Sequence, residues 1–154
     1  MPSLIDSTVL VFSLIYYLLL CTVFVLRAYE RKEELRLKHV FSLQLIPFTL
    51  LLILNLLDNQ SYRSLTLFPV IVFLGYDLWY RVLTEMKPLH HPDKWPRELI
   101  IYLLLLFAGS IGLNWYGFLV SEQYGRALVA GFFCMMAAYS LYQFRHNKQK
   151  ARLA

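Results

Sequence analysis

The sequence predicts an all-α integral membrane protein, a five-span transmembrane helical bundle with its N-terminus outside and its C-terminus inside. Three observations carry this. Of the 154 residues, 58% are hydrophobic and 16% charged, whereas a soluble domain is about half apolar and about a quarter charged. The apolar excess falls into five blocks of about 17–23 residues, the length that crosses roughly 30 Å of hydrocarbon at 1.5 Å per residue. Finally, lysine and arginine alternate between the links. Five follow the first block (Arg27, Arg31, Lys32, Arg36, Lys38), four the third (Arg81, Lys87, Lys94, Arg97), and four the fifth (Arg145, Lys148, Lys150, Arg152). The links after the second and fourth blocks hold one each, Arg63 and Arg126. Under the positive-inside rule the rich links are cytoplasmic, which an odd number of crossings satisfies and four would not.

The first span covers about 4–26. Its short head contains Asp6 but no lysine or arginine, and the apolar run continues through YYLLLCTVFVL. A cleaved secretory signal has a basic start, a shorter apolar stretch and a small-residue cleavage site, so this span is read as retained. The cytoplasmic segment 27–39 is dense in charge and lacks Gly and Pro. Glu33–Arg36 and Glu34–Lys38 have the spacing of helical pairs, and the first helix is expected to continue into it.

The second span, 40–57, holds Pro47, which removes a backbone hydrogen bond and should kink the helix. The third, 65–83, makes the number of crossings odd. The cytoplasmic connector 84–97 carries Pro88, Pro92 and Pro96, a frequency that excludes a helix and gives a stiff, extended segment. The fourth and fifth spans, 98–120 and 127–144, are joined by a very short link, and a basic tail, 145–154, follows. The whole chain is a single transmembrane domain. Tyr29, Trp79, Tyr80 and Trp95 fall near the inner boundary, and Tyr62, Trp115, Tyr116 and Tyr124 near the outer one, where amphipathic rings prefer to lie.

Asp77 is the one acid well inside an apolar run. A carboxylate in hydrocarbon is costly and by default marks an ion path or proton relay. Arg81, however, lies four residues on, on the same face and in the preferred order. It can reach the inner interface while holding the contact. An intramembrane ion pair is therefore the favoured reading, ahead of a contact to another span or a pathway role. At the outer ends, Asn55 and Asp58 share a face and could form a polar cluster with Asn114 where those helices meet. Interhelical amide bonds or caps are the plainer alternative. The small residues have small-xxx-small spacing at Ala108 and Gly112 and again at Ala127 and Gly131, which predicts close helix approach in a hairpin of the last two spans.

Catalysis finds no constellation. The run AGSIG at 108–112 has neither hydrolase-type serine order, and no histidine lies inside a span to serve as base. Asp58 and Asp77 fall at opposite ends of the bilayer and cannot share a proton. His90, His91 and Asp93 lie in the proline-rich connector, where adjacent histidines do not easily face one ion. Cys21 and Cys134 form no ligand or disulfide pattern. No metal and no cofactor is expected. The 27–39 charges are nearly balanced rather than a basic stripe, so nucleic acid is not a partner.

The function expected is that of a non-enzymatic membrane subunit. It would self-associate as a homo-oligomer, or join a hetero-complex, anchoring or regulating a cytoplasmic protein at Arg27, Arg31, Lys32, Arg36 and Lys38. The alternative is a small ion or proton channel or transporter, alone or as an oligomer, resting on Asp77, the kinked second span and the outer cluster of Asn55, Asp58 and Asn114; a lipid-modifying enzyme stands third. The compact loops suggest a bacterial inner membrane.

Overall fold

The computed structural model describes residues 3–29, 33–59, 61–83 and 97–153, with the backbone alone at 34, 35, 38, 61, 81–83, 98 and 99. Among the described residues the regular structure is entirely helical. Six helices follow one another: α1 (Leu4–Ala28), α2 (Glu33–Leu43), α3 (Leu45–Leu57), α4 (Ser61–Leu83), α5 (Arg97–Val120) and α6 (Glu122–Leu153). The stiff connector, with His90, His91 and Asp93, lies outside the described residues, as do Arg31 and Lys32.

Each boundary has a local cause. α1 starts at a reciprocal cap: the Asp6 N–H donates to Ser3 Oγ, and the Ser3 N–H donates to Asp6 Oδ2. This satisfies two donors that an uncapped helix would leave open. Tyr29 ends it, with φ −100° and ψ 8° and its N–H turned back to the Val25 and Arg27 carbonyls. The first helix therefore stops at Ala28 and a new one opens at Glu33, instead of running on through the charged segment. The second block breaks as its proline demands. Pro47 has no N–H for the Leu43 carbonyl and its ring crowds that carbonyl, and α2 gives way to α3 at Gln44, whose own N–H bonds Phe41 O at 3.2 Å. Asn59 closes the turn after α3 with φ 56°, a left-handed conformation asparagine tolerates better than most residues. α4 starts four residues before its apolar run, at Ser61, and continues through Pro69 without interruption. Ser121 alone separates α5 from α6, and its hydroxyl accepts from the Tyr124 N–H, capping α6 five residues before the apolar block begins.

Taking α2 and α3 as one broken rod, the helices form five rods that alternate in direction. α4 and α5 are antiparallel: Gly112 meets Thr66, Gly109 meets Val70, and Tyr102 meets Phe73. α1 and α6 run parallel. Their contacts advance together from Ser7–Tyr124 through Tyr17–Phe132 and Phe24–Tyr139 to Arg27–Tyr142 and Tyr29–Arg145.

The glycines set how close the rods come. A Cβ on Gly112 would lie 2.4 Å from the Thr66 carbonyl oxygen, and one on Gly109 3.1 Å from Val70 Cα. Gly131 receives the Tyr17 ring, and the α5–α6 turn is closed by Gly117 against Leu128 and by Gly125 against Phe118. Close approach through small residues is present, therefore, but Gly112 serves the α4–α5 seam and Gly131 the α1–α6 seam. Ala108 is exposed and Ala127 half-buried.

At the centre Tyr16 packs against Tyr17, Phe41, Phe48 and Phe73, with ring centroids 5.4–6.3 Å apart, within the range of favourable edge and tilted contacts. Outside, the bundle is apolar: Leu18, Leu65, Phe68, Ile111 and Phe133 are each more than half exposed. A water-soluble monomer rarely shows so continuous an apolar exterior. Four helical segments, Leu4–Ala28, His39–Leu57, Ile100–Val120 and Glu122–Leu153, are long and apolar enough to cross a membrane. α4 has the length but is not one of the four; it carries Arg63 and Asp77 and turns Leu67, Val70, Phe73, Leu74 and Asp77 fully into the bundle.

Candidate functional site

Two polar constellations interrupt the apolar interior, one towards each end. The first is built on Asp6. Its capping role fixes the carboxylate at the start of α1, 3% exposed and facing α4 and α5. Because α4 begins at Ser61, Arg63 lies in its first turn, and its Nη1 donates to both carboxylate oxygens at 2.9 Å. From α5 the Tyr116 hydroxyl donates to Asp6 Oδ1 at 2.8 Å. Asn55 Oδ1 of α3 is 3.4 Å from the same hydroxyl, while its amide nitrogen donates to the Leu51 carbonyl. Three donor atoms thus converge on one carboxylate in four hydrogen bonds, two of them from a single guanidinium nitrogen. An ion pair so satisfied offsets the cost of burying its charge, where a lone carboxylate would not.

Of the outer residues singled out from sequence, Asn55 is buried and belongs to this cluster. Asp58 is exposed at the end of α3. Asn114 is held elsewhere: its Oδ1 accepts from the Tyr17 hydroxyl at 2.8 Å, and that hydroxyl also reaches the Ser110 carbonyl at 3.1 Å. The two asparagines are thus divided between two tyrosines, and Asp58 stays at the surface. Asp6, Arg63, Tyr116 and Tyr17 escape the sequence reading, although one signal was present. Arg63 is one of only two basic residues in the links after the second and fourth apolar blocks, and Asp6 is an acid in the N-terminal head at the same end of the bundle.

The second constellation surrounds Asp77, 1% exposed towards the opposite end of the bundle from Asp6. Ser42 Oγ, from the last turn of α2, donates to its Oδ2 at 3.2 Å. The side chain of Arg81 lies outside the described residues. Nearby in the fold, at the α2–α3 break, Gln44 is buried with neither amide atom hydrogen-bonded, and the buried Tyr16 hydroxyl is likewise without a partner.

Of the basic residues expected to dock a partner, Arg27 lies with its guanidinium 5.6 Å from the Tyr142 ring centroid and Arg36 is exposed; the side chain of Lys38 is not among those described. Arg145 crosses back onto Tyr29 at 4.1 Å. The two arginine–tyrosine pairs are reciprocal, each helix supplying one arginine and one ring, and they fasten α1 to α6 where both leave the apolar layer. Among the described residues no His, Cys, Asp and Glu gather in a group that could hold a metal ion, and Cys21 and Cys134 are free thiols. The chemistry on offer is that of charge pairing and hydrogen bonding. Comparison with protein families, curated proteins and solved structures found no match to this chain.

Proposed function

We propose that the chain is a non-enzymatic membrane subunit, crossing the bilayer five times with its N-terminus outside, that self-associates or anchors a cytoplasmic partner at its inner end. The observation that supports this is the filled axis. Tyr16, Tyr17, Phe41, Phe48, Phe73 and Tyr116 are each no more than 2% exposed, so the rings occupy the space that a conducting path would need. The five alternating rods and the gathering of basic residues at one end fit the five-span orientation, and a bacterial inner membrane is the compartment it suits. Arg27 is held by the α1–α6 fastening, which leaves the exposed Arg36 as the described contact point for a soluble protein.

The test is purification under mild detergent followed by mass measurement of the particle. A defined oligomer, or a stoichiometric soluble companion released by reversing the 27–39 charges, is the expected result. A monomer that retains no companion, in cells where those charge reversals have no effect, refutes it. A second reading, ion or proton movement, draws on the buried Asp77 carboxylate beside Ser42. Its measure is flux into liposomes, which Asp77→Asn must abolish for that reading to stand.

A further inference from the structure

We propose that the inner end of α6 binds one anionic phospholipid, holding its phosphate with Arg145, Lys148 and Arg152 and its acyl chain along Leu141 and Phe144. At 32 residues, α6 is about 48 Å long, against roughly 30 Å of hydrocarbon. Its last turns therefore stand beyond the apolar layer. Leu141, Phe144, Arg145, Lys148, Gln149 and Arg152 line a surface hollow of ≈ 320 Å³. Their spacing places all six on one helix face, and along that face the character changes from apolar to basic within a single turn. Among the described residues no acid lines the hollow.

A diacyl phosphate lipid presents the same order, hydrocarbon and then anion, at the same depth. An acidic soluble peptide would match only the basic half. The level is marked by Tyr29, Tyr139 and Tyr142, which gather where α1 and α6 leave the bundle, as interfacial rings do. Arg145 is also pre-positioned. Its guanidinium is stacked on the Tyr29 ring, which reduces the side-chain freedom lost on meeting a phosphate. The site rests on the proposed topology only in facing the cytoplasmic leaflet.

The experiment is native mass spectrometry of the full chain in detergent, with phosphatidylglycerol or phosphatidylcholine added in equal amount. The wild type is expected to retain one phosphatidylglycerol at least tenfold better than phosphatidylcholine. A basic group near a lipid surface contributes about a fivefold change in binding, so Arg145→Gln with Lys148→Gln and Arg152→Gln lowers retention about a hundredfold. Arg126→Gln, which removes an exposed charge at the opposite end, leaves retention unchanged. Equal retention of the two lipids, equal loss in the Arg126 variant, or displacement by millimolar inorganic phosphate overturns the proposal. The triple variant changes the exposed Lys148 and Arg152 and the half-buried Arg145, which also leaves the Tyr29 ring, and an unchanged elution volume verifies its fold. Side is read separately in cells, by impermeant maleimide on Gln149→Cys in a Cys21→Ala, Cys134→Ala background. Labelling from outside overturns the five-span orientation without touching the lipid result.

Discussion

Replacing Gly112 by alanine is the sharpest test of how α4 and α5 meet. The added methyl would sit 2.4 Å from the Thr66 carbonyl oxygen and 3.5 Å from the Pro69 ring. A carbon–oxygen contact is ordinarily no closer than about 3.3 Å, so the helices must part by roughly 1 Å. The obstacle is backbone and has no rotamer to change. Overpacking of this kind costs about 1–3 kcal/mol. Separation would also loosen Gly109 from Val70 and Tyr102 from Phe73 along the same seam. Gly75 provides the control, since a Cβ there meets nothing within 4 Å. Gly75→Ala should be neutral, or stabilising by up to about 1 kcal/mol through helix propensity. Thermal unfolding in one detergent, followed by thiol-reactive dye, would place Gly112→Ala clearly below the wild type and Gly75→Ala at or above it. Equal melting temperatures for the two variants would refute the close packing of α4 on α5.

The remaining predictions concern polar groups. Asp6→Asn and Arg63→Gln are each expected to cost about 2–3 kcal/mol, short of a fully buried pair because the Arg63 side chain is 19% exposed. The double variant should cost clearly less than their sum in a mutant cycle, and additivity would show the pair to be idle. Gln44→Met should raise stability by about 1 kcal/mol, because both amide atoms are buried without partners and a flexible apolar chain of similar size removes that desolvation; a lower melting temperature would contradict this. Arg126→Ala, which breaks an exposed i,i+4 pair with Glu122, should change stability by no more than about 0.5 kcal/mol by the same assay.

Much of the architecture is legible in the sequence because hydrophobic length and proline act locally. The apolar blocks mark where the rods lie, and Pro47 marks the break in the second. Small residues announce close contact without saying which helix arrives, and so Gly112 and Gly131 turned out to face α4 and α1. The polar constellations were harder to read. Asp6 and Arg63 are 57 positions apart, and nothing in the neighbourhood of either names the other. Tyr116 reads as one more interfacial ring until the fold supplies Asp6. The segment 27–39 looked like a helical extension because its charges have helical spacing, yet spacing within a stretch is silent about the turn at Tyr29 that lets α2 fold back on α1.

The parallel pairing of α1 with α6 has a consequence for how the chain is made. Ser7 and Tyr124 are separated by 117 positions, so the first helix acquires its partner only when nearly the whole protein has been translated. At about 5–20 residues per second, α1 waits on the order of 6–25 seconds after its own synthesis. For most of that time Tyr17 has neither α5 nor α6 beside it, and its hydroxyl lacks the Ser110 and Asn114 acceptors it meets in the finished fold. A buried hydroxyl without a partner is costly, which favours shelter by the insertion machinery or a lateral companion. A ribosome-stalled chain lacking α6 is the species in which to capture it.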